Sequence, residues 1–305
     1  MSHQFGLAPS ELPILPPLRA RALAALLDPD AGIHDFLSVI EGDPALTASV
    51  LRASNSAWSA PRYPIHSARD AIVRIGLDAA RQITSAAIMH SQFEHLDESG
   101  LNVDAFWRRQ LAVGVLVEGF ALQARRPQAE IRSAFTGGLL HQMGRLALAA
   151  RSPERYRTVV ERARKGEDPL VAELQAFEVD AVQLTKNVAT RWSLPEAIAG
   201  PLSAMDDPDA AGLPPLMREA IEVAELIGFD QGFSSEVVAA LSLPGDHPRA
   251  DSLLAIGGED ELRQRVDWFR SSTGAHRPPP AQAAEIRPLQ SQPSNSQAPL
   301  DQQAA

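Results

Sequence analysis

The 305-residue chain contains no cysteine. That excludes disulfides, a thiolate nucleophile and cysteine-ligated metal, and it suits a reducing compartment. Aromatic residues are also scarce, at 5%, although 45% of the chain is apolar. A core must therefore come mainly from Leu, Ala, Val and Ile, and Leu and Ala are strong helix formers. Positive charge is short as well: 28 Lys and Arg stand against 38 Asp and Glu, for a formal net charge of -10. Bulk nucleic-acid binding needs a positive surface to neutralise phosphates, so it is not expected. Only short basic clusters occur, at Arg108-Arg109, Arg125-Arg126, and Arg162 with Arg164-Lys165. They read either as solvated helix faces or as a local patch for a phosphorylated ligand or acidic partner. No apolar run reaches the roughly 18 residues of a membrane span. The leading MSHQFGLAPSELPILPPL lacks the basic-then-apolar order of a signal peptide. A cytoplasmic location without membrane insertion is expected.

Strand alternation is missing too; what is present is helical period. A helix is predicted from Pro17, where proline costs little, through RARALAALL to Asp28-Pro29. Ile33, Phe36, Leu37 and Ile40 share one face of a 3.6-residue repeat. Residues 44–57 read as helical, and Ser67 with Asp70 reads as a capping box. A long helix is predicted over 104–123, a buried helical stretch over 130–150, and helices near 153–165, 170–177 and 180–192. A second capping box is predicted at Ser193–Glu196, a linker at 206–215, and further helices at 216–228, 234–241 and 258–270. The resulting domain expectation is a lead-in over 1–11, an N-terminal bundle over 12–95 and a second bundle over 102–205. A helical extension over 206–270 follows. The Pro-, Gln- and Ser-rich tail at 271–305 is too poor in large apolar residues to offset its ordering entropy, and is expected to be disordered.

Several stretches carry a family pattern when taken together. They are LPILPPL at 12–18, FLSVIEGDPALTASVLRASNSAWSAPRYPIHSARDAIVRIGLDAARQI at 36–83 and FWRRQLAVGVL at 106–116. AFTGGLLHQMGRL at 134–146 and VDAVQLTKNVATRWSLPEAI at 179–198 complete the set. On these residues the chain resembles the HDOD domain family, relatives of the HD-type metal-dependent phosphohydrolases. The resemblance implies an all-α fold of two packed helical bundles and a role in bacterial signal transduction or regulation. It also implies where a metal site would lie. There, the His-Asp pair of the enzymes is replaced by His141-Gln142, a common histidine by Arg109, and a common Asp-His by Asp180-Ala181. Metal-assisted hydrolysis needs imidazoles and carboxylates converging on an ion. Neither glutamine nor a guanidinium supplies that.

His141 reads as a satisfied core histidine, a remnant ligand-binding position or a metal ligand. Asp180 reads as a helix cap. The eight histidines, at 3, 34, 66, 90, 95, 141, 247 and 276, form no HExxH or zinc spacing. Phosphate-loop, dinucleotide and nucleophile-elbow motifs are absent, and Gly137-Gly138 reads as a close helix contact. The loop NSAWSAPRYPIH at 55–66 offers Asn55, Trp58, Arg62 and Tyr63, residue types frequent at binding hot spots. The competing reading has Asn55 tying down its own loop and Trp58 capping the core. A second candidate is a cleft between the bundles near Arg108, Arg109 and His141. The expected function is a non-enzymatic, cofactor-free regulatory module that binds a signalling protein or a small phosphorylated signal. The alternative is an atypical metal-dependent phosphohydrolase acting on a nucleotide or other phosphorylated substrate.

Overall fold

Local sequence starts most of the helices. Pro44 occupies a first helical position behind Asp43, whose carboxylate accepts from the Ala45 N–H at 2.8 Å. Ser67 accepts from the Asp70 N–H at 3.1 Å; Asp70 answers the Ser67 hydroxyl at 2.7 Å and not its backbone. Asp180 caps its helix through the Gln183 N–H at 2.8 Å. The capping box predicted at Ser193 does not form. Ser193 sits at a φ of 50°, and the next helix begins only after Pro195, with no side-chain cap.

The computed structural model describes residues 16–28, 31–93, 96–234, 250–254 and 256–273. Every regular element among them is helical. In chain order they are α1 (Pro17–Leu27), α2 (Ile33–Glu41), α3 (Pro44–Ser54), α4 (Ala68–Ile75) and α5 (Leu77–His90). A 3-10 turn at Asp97–Ser99 leads to α6 (Val103–Gln123), α7 (Gln128–Leu140), α8 (Met143–Arg151), α9 (Pro153–Arg164) and α10 (Pro169–Phe177). Then come α11 (Ala181–Arg191), α12 (Glu196–Ser203), α13 (Leu213–Leu226), α14 (Ala250–Leu254) and α15 (Glu259–Thr273). The predicted lead-in at 1–11, most of the helix at 234–241, and the tail beyond Thr273 lie outside the described residues, as do His3, His95, His247 and His276. The start of the predicted tail, 271–273, is the last turn of α15. Among the described residues no helix is long and apolar enough to cross a membrane.

Helix α6 is the central element, packed against α7, α13 and α15. Its crossing with α7 depends on two glycines: a Cβ on Gly138 would lie 2.7 Å from the Gly114 Cα. Backbone cannot yield as a side-chain tip can. Gly138→Ala is therefore expected to cost about 1–3 kcal/mol by overpacking, despite alanine's better helix propensity. A urea midpoint equal to that of the wild type would show that the crossing has room to spare.

The stretch predicted as a helical extension belongs to this core. α13 lies along α6, and α15 packs against α3, α5 and α6. Trp268 of α15 donates its indole N–H to the Ala53 carbonyl at 3.2 Å, and Phe269 meets Phe135 with ring centroids 5.0 Å apart. Arg52 closes the same seam by donating to the Ser272 carbonyl at 3.0 Å. α15 thus ties the first five helices to the rest.

Candidate functional site

The apolar stretch predicted as one helix over 130–150 is broken at His141-Gln142, between α7 and α8. The break turns His141 inward, where it is 4% exposed. Its Nδ1 lies 2.7 Å from the Gly138 carbonyl oxygen. A carbonyl can only accept, so Nδ1 carries the hydrogen and Nε2 keeps its lone pair. Nε2 is buried and has no protein partner. Burial, and then the nearby Arg109 cation, push the His141 pKa down to about 3, so the ring is neutral at pH 7.

Two arginines stand beside it, both fully buried. Arg109, from α6, donates to Glu225 Oε1 of α13 at 2.7 Å and to the Phe229 carbonyl at 3.2 Å. Arg145, from α8, donates to Glu173 Oε1 of α10 at 2.8 Å, with both side chains fully buried. Glu173 is further held by the Tyr156 hydroxyl at 2.7 Å and the Ala181 N–H at 3.0 Å. Gln231 joins the two pairs: its amide N–H donates to Glu225 Oε1 and its oxygen accepts from Arg145, each at 2.8 Å. The result is a continuous polar network in which each guanidinium has its own carboxylate. Pairing of this kind is what allows a charge to stay buried.

A cavity of about 270 Å³ opens beside the network. Arg109, His141, Gln142, Thr185, Glu225 and Gln231 form its polar wall, and Leu170, Val182, Leu202, Met205 and Ile221 its apolar one. These residues do not fit a catalytic metal. Glu173 and Glu225 already bind arginines, Asp180 caps α11, and Ala181 offers no ligand atom. A cation would also lie close to the Arg109 charge. Among the described residues no group of three or more His, Cys, Asp or Glu could hold a metal ion.

Of the predicted site residues, the cavity brings together Arg109 and His141. Arg108 faces away, paired with Asp267 of α15 at 2.8 Å. The cavity lies within the helices from α6 to α13 and their loops, not between the bundles as predicted. Trp268 and Phe269 of α15 fill the part of the expected seam between Ala53 and Phe135. Arg145, Glu173, Tyr156, Glu225 and Gln231 were not foreseen. The available signal was a charge at an apolar position, as in MGRLALAA at 143–150 and PLVAELQAF at 169–177.

The loop at 55–66 stands apart. Asn55 ties its two ends, donating to the Leu51 and Ile65 carbonyls at 2.9 and 2.8 Å and accepting from the Ile65 N–H at 2.8 Å. Trp58 is 42% exposed and stacks on Trp268 with centroids 6.4 Å apart. Tyr63 is 70% exposed, with the Arg62 guanidinium 5.5 Å above its ring. Trp58→Ala should therefore cost about 1 kcal/mol, the worth of one partly exposed ring contact. A loss of about 3–5 kcal/mol in urea denaturation would instead mark a core plug.

No curated protein matches the sequence. Among solved structures, a Shewanella amazonensis protein provisionally named a phosphohydrolase is 21% identical with a TM-score of 0.64, over 88% of this chain and 95% of that one. An HDOD domain protein of unknown function from Geobacter sulfurreducens is 24% identical with a TM-score of 0.59, over 87% and 85%. A Marinobacter aquaeolei protein provisionally named for signal transduction is 22% identical with a TM-score of 0.57, over 87% of this chain and 59% of that one. At these identities the likeness is one of fold. The HDOD domain profile matches residues 12–208, and with the helical fold and the altered site described above, the chain belongs to the HDOD domain family.

Proposed function

We propose that this chain is a non-enzymatic regulatory module that works by binding. The cavity beside Arg109 and His141 is its ligand site, and the loop at 55–66, with Trp58, Arg62 and Tyr63, is a contact for a signalling protein. The observation that carries this reading is the pairing of Arg109 with Glu225 and of Arg145 with Glu173. The first pair leaves the Arg109 guanidinium, and no imidazole, at the position where the family resemblance implies a histidine, whereas hydrolysis would need a held metal and an activated water. Guanidiniums so paired can recognise a ligand, but they supply neither a nucleophile nor a general base. His141, held neutral and bonded back to Gly138, presents only an acceptor.

The test is an assay of the full chain with manganese, magnesium, iron or zinc against phosphomonoesters, nucleotides and cyclic dinucleotides, beside a His141→Ala control. No metal-dependent turnover is expected from either protein. Turnover that requires metal and vanishes in the folded variant would overturn the reading.

A further inference from the structure

The exposed loop at 55–66 is firmly held. Asn55 clamps its two ends. In its middle the Ala60 N–H donates to the Ser56 carbonyl at 3.0 Å, and Arg74 of α4 reaches back to the Ser59 and Ala60 carbonyls. These bonds keep Ala60 at a φ of 41°, a left-handed conformation uncommon for a residue with a side chain. Such strain persists only where the surroundings enforce it, and it clusters at binding sites. A loop fixed in advance also loses little conformational freedom when it binds.

What the loop presents is aromatic and basic. Trp58 and Tyr63 are its exposed rings. The Arg62 guanidinium lies over the Tyr63 face, which leaves its N–H edge open to a carboxylate. Between Arg52 and Gly76 stand four exposed arginines, Arg52, Arg62, Arg69 and Arg74, and one acid, Asp70. In the whole chain the balance is reversed, with 38 Asp and Glu against 28 Lys and Arg. Arg52 bonds the Ser49 hydroxyl and the Ser272 carbonyl, and Arg74 bonds the loop carbonyls. These neutral acceptors place the side chains and leave their charges uncancelled. Among the described residues none of the four arginines is ion-paired, whereas Asp267 and Arg270 of the neighbouring α15 pair with Arg108 and Asp104.

A local positive surface on an acidic protein suits a short acidic segment better than a long polyanion. A nucleic acid would carry its charge past the four arginines onto a chain of net charge -10. An acidic peptide can set a carboxylate on Arg62 while an apolar neighbour covers the rings, and Trp, Tyr and Arg are the types that dominate binding hot spots. We infer that the loop at 55–66 docks a short acidic segment of a partner protein, with a carboxylate on Arg62 and an apolar side chain against Trp58 and Tyr63. This rests on the loop contact proposed above and names the partner's chemistry.

Selection from a random peptide library displayed on phage, with the full chain immobilised, tests this. The recovered peptides should be rich in Asp and Glu beside apolar residues. In fluorescence anisotropy Arg62→Glu should weaken the tightest of them about tenfold, and Tyr63→Ala by a similar factor, in proteins shown to be folded by circular dichroism. Raising the salt concentration should weaken the wild type more than Arg62→Glu. Arg125→Glu makes the same charge change about 30 Å along α6 from Asp104, and should leave binding within about twofold. An equal loss in Arg125→Glu would assign the attraction to overall charge and overturn the proposal. Neutral or basic peptides that lose affinity in Tyr63→Ala would overturn the acidic assignment while leaving the loop as a protein contact. No recovered peptide, or peptides that bind every variant alike, would overturn the contact itself. Single-stranded oligouridylate that binds more tightly than the peptides, and is lost in Arg62→Glu, would make the loop a nucleic-acid site instead. The non-catalytic reading falls separately, on metal-dependent turnover.

Discussion

Arg145→Leu is expected to lower the unfolding free energy by about 3–5 kcal/mol, the usual cost of breaking one side of a buried ion pair. The reason is the partner left behind. Glu173 is fully buried, and among the described residues Arg145 is the cation bonded to it. Without Arg145 its carboxylate keeps the Tyr156 hydroxyl and the Ala181 N–H but loses its countercharge in a site that excludes water. Burial works against the Arg145 charge, yet Glu173 and Tyr156 outweigh it and raise the Arg145 pKa; the pair is matched. The loss should be visible in urea denaturation as a lower midpoint. The double variant Arg145→Leu/Glu173→Gln should recover part of it, because the amide oxygen still accepts a hydrogen bond while the stranded charge is gone. The cycle isolates the coupling between the two side chains. A loss below about 1 kcal/mol for Arg145→Leu would mean that Glu173 is solvated when unpaired, and that the network is not dry.

The same network shows what could be read from sequence. Helix starts were legible where a short side chain or a proline sets them: Pro17 and Asp180 act as expected, and Ser67 supplies its half of the predicted capping box. The break at His141-Gln142 was not. Leu139, Leu140, Met143 and Leu146 are apolar and buried on both sides of it, and neither His nor Gln interrupts a helix by propensity. Arg109 and His141 were legible as altered site positions through the family pattern. Their compensating partners were not, because Glu225 meets Arg109 across 116 residues and Glu173 meets Arg145 across 28. No local period encodes such a pairing. A helix over 258–270, close to the bounds of α15, was legible. That Trp268 and Phe269 would fill part of the seam between the predicted bundles follows only from the packing of α15 on α3, α5 and α6.

Acid should destabilise this protein through His141 in a way that a single variant removes. Burial and Arg109 lower the His141 pKa from its ordinary 6.5 to about 3. Between those values the unfolded chain binds a proton that the folded chain refuses. Stability is therefore unaffected by this group above pH 6.5 and is lost as pH falls below it, at about 1.4 kcal/mol per pH unit until the folded pKa is approached. The sign is that of any group held neutral by burial and a like charge. Carboxylates titrate over part of the same range, so the wild-type curve alone does not isolate the effect. His141→Asn does: it keeps a donor for the Gly138 carbonyl, carries no titrating ring, and leaves the other acids in place. Urea unfolding of both proteins at pH 7.5 and pH 5 should show the wild type losing about 2 kcal/mol more than the variant. Parallel losses would mean that His141 accepts a proton in the folded state, and with it a positive charge beside Arg109. Nε2 would then be a donor, buried without an acceptor among the described residues.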